Sequence, residues 1–434
     1  MRETLICNAM IFDGSGTKPF PGHLCLRGNR IAQVMKGSDA VAQEADEVID
    51  AGGAFLMPGL IEGHGHISFI DQADLMDLAV IGVEEHTLAT MHNARKLLDA
   101  GFTSVNSAAS AKVRLDAVIR DEIEAGRIPG PRLRAASPEI TVTSGLGDAN
   151  KMHVKLHTFG MVVDGEDEVV SAVRLCIREG VDNIKLNISG DVFMPNADSF
   201  STVMAENEVR VAVETAHAHG KRVAAHCRAA DSIKRAVRNR VDMIYHCDHA
   251  DEEALDMLEA AKDWVLTGPA IGVIIKSIEA LQSADDPALQ PQIDELKKLY
   301  DDNCWTHAEM RKRNIPIVIG GDYGFAVNPQ GTNANDLVYF VEHYGFSPAE
   351  TLHAATMIGA RAMNRPDELG QIREGFLADL LLIDGDPLDD IAILTDPAHF
   401  KAIMKDGKFH QQRRDGAINT DQENSGRGWL AAQQ

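Results

Sequence analysis

Two histidines separated by a single glycine, His64-Gly65-His66, close an apolar run, and Lys185, His226, His246 and Asp322 sit at or just beyond the ends of similar runs. His64 and His66 are two apart, so on an extended strand both imidazoles leave the same face. Neutral imidazole is a good ligand for zinc and its first-row neighbours. Four histidines, an aspartate and a lysine converging at one end of a barrel would make a two-metal hydrolytic site.

Each residue type has a reason to be there. In Asn183-Ile-Lys-Leu-Asn-Ile188, alternation sends Ile184, Leu186 and Ile188 to one face and Asn183, Lys185 and Asn187 to the interior. A buried ammonium is costly unless paired or modified. Two nearby dications would favour the neutral amine of Lys185, which reacts with carbon dioxide to give a carbamate with two oxygens suited to bridging metals. A lysine paired with an interior carboxylate is the plainer alternative. Asp322 follows Ile317-Val-Ile-Gly-Gly321. A carboxylate there can bind one metal and accept a proton from the bridging water, or serve as a turn or helix-capping aspartate. One or two metals would lower the pKa of bound water toward ~7 and polarise a substrate carbonyl, with the oxyanion held by metal and a nearby donor.

These residues need a frame that brings strand ends together. The middle of the chain alternates short apolar runs with amphipathic ones. The runs expected as strands are Met57 to Ile67, Thr103 to Ala108, Arg132 to Ile140, Asn183 to Ser189, Arg222 to Cys227, Met243 to Cys247, Trp264 to Gly268 and Ile315 to Gly320. Segments such as Thr87 to Ala100, Asp167 to Glu179, Glu208 to His219 and Ala229 to Arg238 carry helical periodicity. Such alternation implies right-handed crossovers and a parallel sheet. The expected class is α/β: a (β/α)8 TIM barrel, its site at the C-terminal strand ends. Both chain ends read instead as short β runs, with Asp406-Gly407 as a hairpin turn. The expected organisation is a small composite β-sandwich domain from residues 1–57 and 370–412, a catalytic barrel over 58–369, and a polar tail over 413–434 that includes Trp429 and Leu430.

Composition sets outer limits. The chain has 434 residues and a formal charge of −23, which argues against nucleic acid or an anionic membrane as partner and leaves a small-molecule substrate. No apolar stretch approaches the ~20 residues that span a bilayer. The first ten residues lack a signal-peptide pattern, and the six cysteines show no paired spacing. The expectation is a cytoplasmic protein with reduced thiols.

The run Pro58-Gly-Leu-Ile-Glu-Gly-His-Gly-His66, followed by Lys185, His226, His246, Gly320-Gly-Asp322 and the closing segment Gly370 to Asp384, resembles the amidohydrolase superfamily over about residues 4 to 410. Within it the chain looks most similar to the imidazolonepropionase-like and Xaa-Pro-dipeptidase-like hydrolases. Members there cleave dipeptides, N-acyl amino acids and aryl amides, including ochratoxin, and others open phenylureas or thiocarbamates. The resemblance implies two divalent metals held by His64, His66, His226, His246 and Asp322 and bridged by carbamylated Lys185. Zinc is the first expectation, and manganese, cobalt or nickel suit the same ligands. It also implies a homo-oligomer. The implied activity is metal-dependent hydrolysis of a C–N bond in an amide-like small molecule: an N-acyl amino acid, dipeptide, aryl amide, urea or carbamate. A mononuclear deaminase or cyclic-amidine hydrolase is the alternative, against which Lys185 argues, and a ligand-binding barrel without catalysis is a third reading.

Two departures bear on the substrate. Dipeptidase-like members often have a tyrosine soon after the fifth-strand histidine, whereas this chain reads His226-Cys227-Arg228; Arg228 could take a carboxylate bidentately. The third-strand loop reads Thr143-Ser-Gly-Leu-Gly-Asp148 without the usual histidine, and His153 is the candidate replacement as a carbonyl donor. Tyr323 and Phe325 are candidate pocket-lining residues, and Ile271 to Tyr300 is long enough for a helical lid.

Overall fold

The computed structural model describes residues 2–37, 45–154, 156, 158–194, 196–414 and 417–420, with side chains as far as Gln412. Both ends of the chain build one sheet. Glu3–Ile11 runs antiparallel to Phe20–Arg27, which pairs in turn with antiparallel Arg30–Lys36, and parallel to Glu47–Asp50 and Phe55–Pro58. Phe55–Pro58 also pairs, antiparallel, with Leu380–Ile383, and Phe400–Lys405, Lys408–Arg414 and Ala417–Thr420 follow in antiparallel succession.

The expected β-sandwich is corrected in one respect. Because Phe55–Pro58 offers one edge to each chain end, the strands hydrogen-bond into a single nine-stranded mixed sheet. Ile11, Leu24, Leu56, Leu380 and Met404 belong to its own apolar core. The chain is still paired at Ala417–Thr420, beyond residue 413 where the polar tail was expected to begin. Trp429 and Leu430 lie outside the described residues.

Between these ends, parallel strands alternate with helices. Leu60–Gly65, Phe102–Ser107 and Arg132–Arg134 form one parallel sheet. Ala136–Thr141, Asn183–Asn187, Arg222–Ala229, Met243–His249 and Leu266–Gly268 form a second, with Met161–Val162 at its edge. The strand expected over Arg132 to Ile140 is thus two strands, parted at Ala135.

The last expected strand, Ile315 to Gly320, is reduced to a bridge between Thr267 and Ile317. Pro316 has no N–H to give a ladder, although its carbonyl accepts from Thr267 N at 3.0 Å. On the other side of this segment, Gly63 N donates to Ile319 O at 2.9 Å. The segment therefore sits between Leu266–Gly268 and Leu60–Gly65, bringing the first and last strands of the alternation together.

The helices lie where the apolar period put them. Gly165–Arg178 buries Val169, Ala172, Val173 and Cys176, one stripe at helical spacing, with acidic residues in its first turn and Arg178 in its last. Ile271–Ser283 and the 23-residue Gln290–Lys312 occupy the region expected as a helical lid. Among the described residues, no helix is long and apolar enough to cross a membrane.

One glycine shows how closely the strand ends are packed. A Cβ at Gly63 would lie 2.5 Å from Val318 Cγ2 and 2.8 Å from the Ile319 carbonyl oxygen. Gly63→Ala is therefore expected to destabilise the fold by about 1–3 kcal/mol through overpacking, read as a lower urea midpoint. An unchanged midpoint would contradict this close approach.

Candidate metal centre

The register of neighbouring strands lines up the chemically interesting residues. Lys185 pairs with Ala224, Asn187 with His226 and Cys227 with His246. Ile184 and Leu186 join the main apolar core, and the intervening Lys185 points to a cavity of about 790 Å³. His64, His66, His226, His246 and Asp322 line the same cavity and are buried. All six residues expected as metal ligands thus meet in one place.

His64 stacks on Tyr245, ring centroids 3.9 Å apart. The Tyr245 hydroxyl donates to Gly63 O at 2.7 Å and accepts from Asn106 Nδ2 at 3.2 Å. His66 Nδ1 faces the Ala109 carbonyl at 3.0 Å, so Nδ1 carries the proton and Nε2 is left to face Asp322 Oδ1, also at 3.0 Å. His226 donates Nε2–H to Gly190 O at 3.1 Å, with Asp191 Oδ2 at 3.5 Å. Its ring lies 4.2 Å from that of His246.

Both ring nitrogens of His64 and of His246 are buried without a hydrogen-bond partner. Leaving a buried polar group unsatisfied costs about 1–3 kcal/mol, so four such atoms side by side call for a ligand. One donor atom each from His64, His246 and Asp322 lie within 4.8 Å of one another. Neutral imidazoles with one carboxylate form a donor set for a first-row divalent ion.

Electrostatics agree with that chemistry. Burial lowers the pKa of His64 and His246 well below the ordinary imidazole value and takes His226 down to about 4, which keeps lone pairs available. Burial would raise the Asp322 carboxyl, but His64 and His66 beside it, with Lys185, hold it well below the usual carboxylate range. Burial lowers the Lys185 ammonium, an effect that Glu139 and Asp322 oppose. Among the described residues its Nζ makes no ion pair, and it lies 4.9 Å from the centroid of the Tyr245 ring.

The backbone is unusual at two of these positions, His246 and Asp322, and at Cys247 next to the first. His246 (φ 73°), Cys247 (φ 55°) and Asp322 (φ 60°) occupy the left-handed region, which disfavours side chains other than glycine and recurs at functional sites. Buried carboxylates brace the backbone at His64 and around Asp322. Glu62 Oε1 accepts from His64 N and its Oε2 from Asn333 Nδ2, while burial pushes its pKa up to about 7. Asp336 accepts from Gly320 N at 2.8 Å and from the Tyr323 hydroxyl at 2.9 Å.

The expected substrate contacts fare differently. Arg228 lines the cavity, but its Nε donates to Asp191 at 2.8 Å and its Nη1 to Asp248 at 2.7 Å. Tyr323 is off the cavity wall: the turn at Asp322 sends its ring behind the site, onto Asp336. His153 sits exposed on the turn closed by Lys151 and Val154 and does not line the cavity. Phe325 does line it.

Sequence reading missed Glu139, Asp191, Asp248, Glu62 and Asp336. Glu139 carried a signal, a lone acid inside the run Ala135 to Val142. Glu62 stands inside the Leu60–Gly65 strand beside the histidines, and the other three follow or end strands or start a helix, where acids are ordinary.

A sequence model of the amidohydrolase family matches residues 55–409. The ochratoxinase of Aspergillus niger is 26% identical over 391 residues, covering 85% of this chain and 78% of that protein. A solved Xaa-Pro dipeptidase with methionine bound in its active site superposes with a TM-score of 0.82 at 27% identity, over 94% of this chain and 99% of the other. A prolidase complexed with N-methylphosphonate-L-proline reaches a TM-score of 0.84 at 24% identity, over 95% of this chain and 100% of the other, which is a likeness of fold.

The unpartnered nitrogens predict metal-linked stability. Chelation is expected to lower Tm and added Zn²⁺ to restore it, since a ligand at a thousandfold excess over Kd stabilises by about 4 kcal/mol. A Tm indifferent to both would contradict a metal site here.

Proposed function

This chain belongs to the amidohydrolase family of hydrolases, and we propose that it cleaves a C–N bond in a small amide-like molecule at a site holding two divalent metals. The observation that carries this reading is the group of buried, unpartnered nitrogens of His64 and His246 beside Asp322. The adjoining pairings support the alternation as a closed (β/α)8 barrel, with the terminal mixed sheet as a second domain.

His64, His66, His226, His246 and Asp322 would hold the metals. Lys185, buried and without an ion pair among the described residues, would bridge them as a carbamate: its neutral amine adds to carbon dioxide and releases one proton. When bound, the metals supply Lewis acidity at the scissile carbonyl and lower the pKa of a water toward neutrality.

The remaining work falls to the chain's own residues. Asp322, its carboxyl held well below the usual carboxylate range, accepts the proton of the attacking water on a carboxylate oxygen and passes it to the leaving nitrogen. Ala109 O fixes the tautomer of His66, and Gly190 O that of His226, so each ring presents its other nitrogen to the site. Phe69, Phe159 and Phe325 exclude water from one side of the cavity.

The test is metal content per chain by elemental mass spectrometry, with turnover over a panel of amides, ureas, carbamates and dipeptides. Two metals and turnover are expected. Lys185→Ala should lose metal and activity together, and Asp322→Asn should lower kcat by about 10²–10⁴-fold. Full activity in Lys185→Ala would sink the bridged pair, and one metal per chain with ammonia release would favour the mononuclear deaminase instead.

A further inference from the structure

An enzyme that selects a substrate by its carboxylate needs a cation free to receive it, and the charges on this cavity wall are arranged otherwise. The wall carries carboxylates from Asp74, Glu139, Asp148, Asp191 and Asp322. Among the described residues, the cations that stand against these are Lys185 beside the candidate ligands, Lys151 at the exposed mouth, and Arg228.

Arg228 is the one that a carboxylate-bearing substrate would be expected to use. It is 1% exposed, and both Asp191 and Asp248 pair with its guanidinium. Asp248 is itself fixed: Asn303 Nδ2 donates to its Oδ1 at 2.6 Å, and the Thr306 hydroxyl donates to its carbonyl at 2.8 Å. Asp191 and Asp248 together offset the Arg228 charge, so the guanidinium has little left with which to attract an incoming carboxylate. An exposed lysine such as Lys151 adds little, because surface pairs are screened.

Another part of the cavity wall is aromatic. Phe69 stacks on His66, ring centroids 4.3 Å apart. Phe159 and Phe325 meet Phe69 edge to face at 6.0 and 6.1 Å. An aryl or bulky apolar group would find its best contact there, directly beside the ligand histidines.

Resting on the C–N hydrolase reading above, we propose that the substrate is an uncharged amide, urea or carbamate, with an aromatic or bulky apolar group next to the scissile bond and no free carboxylate. In the step itself, the oxygen of water bonds to the carbonyl carbon and the C–N bond breaks. One water proton goes to the leaving amine and the other remains with the carbonyl product.

The test is a matched pair differing only in the carboxylate, N-benzoyl-L-phenylalanine and N-benzoyl-2-phenylethylamine, given to the metal-replete full chain. Hydrolysis gives kcat/KM, and calorimetry gives Kd whether or not cleavage occurs. A preference of at least about tenfold for the neutral probe is expected; equal or better handling of the acid would overturn the proposal while leaving the hydrolase reading intact. Binding of neither probe would also overturn it, and turnover elsewhere in the broader panel decides the hydrolase reading separately. Asp248→Asn, or Asp191→Asn if the first variant fails to fold, removes one counter-charge and should shift the ratio toward the acid by about tenfold; an unmoved ratio in a folded variant counts against the role given to Arg228.

Discussion

A buried polar atom needs a partner, and the rest of this protein is organised around a place where the chain withholds one. Two imidazoles, His64 and His246, lie fully enclosed with neither ring nitrogen satisfied. Several buried charged side chains around them are paired, Arg228 with two aspartates and Asp336 with a backbone N–H and a tyrosine hydroxyl. The fold tolerates the local deficit because its surroundings are rigid: His64 is clamped against Tyr245, and the Tyr245 hydroxyl is tied to the backbone of the adjoining strand.

That rigidity depends on carboxylates that touch no ligand atom. Glu62 ties the backbone of His64 to the Asn333 side chain. Asp336 ties the approach to Asp322 through Gly320 and its exit through Tyr323. A left-handed aspartate such as Asp322 persists only where neighbours over-determine the turn. The same device closes Arg228 between Asp191 and Asp248, so a side chain that could have been a receptor becomes a strut. The chemistry of the cavity is set as much by these neutralised charges as by its histidines.

The terminal sheet contributes by closure. Phe55–Pro58, immediately before the strand Leu60–Gly65, pairs with Glu3–Ile11 on one side and Leu380–Ile383 on the other. The start of the strand that delivers His64 is therefore anchored by residues from both chain ends, and Gly59 N donates to the Asp379 carbonyl as the chain passes between the two parts.

Much of this was legible in the sequence, because it depends on local periodicity. Alternation in Asn183 to Ile188 faced Lys185 inward, the two-residue spacing put His64 and His66 on one side, and the helix period located Gly165–Arg178 to within a few residues. That the candidate residues meet was readable because each lies in or just past a run of the alternation, and parallel strands bring such positions together whatever their separation along the chain. What lies one residue past a strand end was not readable. There the direction of a side chain is decided by a backbone turn and by partners from distant segments: Tyr323 swings behind the site onto Asp336, His153 ends on an exposed turn, and Pro316 to Gly320 gives a bridge in place of a full strand. Residue types and period determined which groups meet, and only tertiary contacts such as those of Arg228 with Asp191 and Asp248 decided which of them are left with something to bind, because neutralising a charge takes a partner that no local pattern specifies.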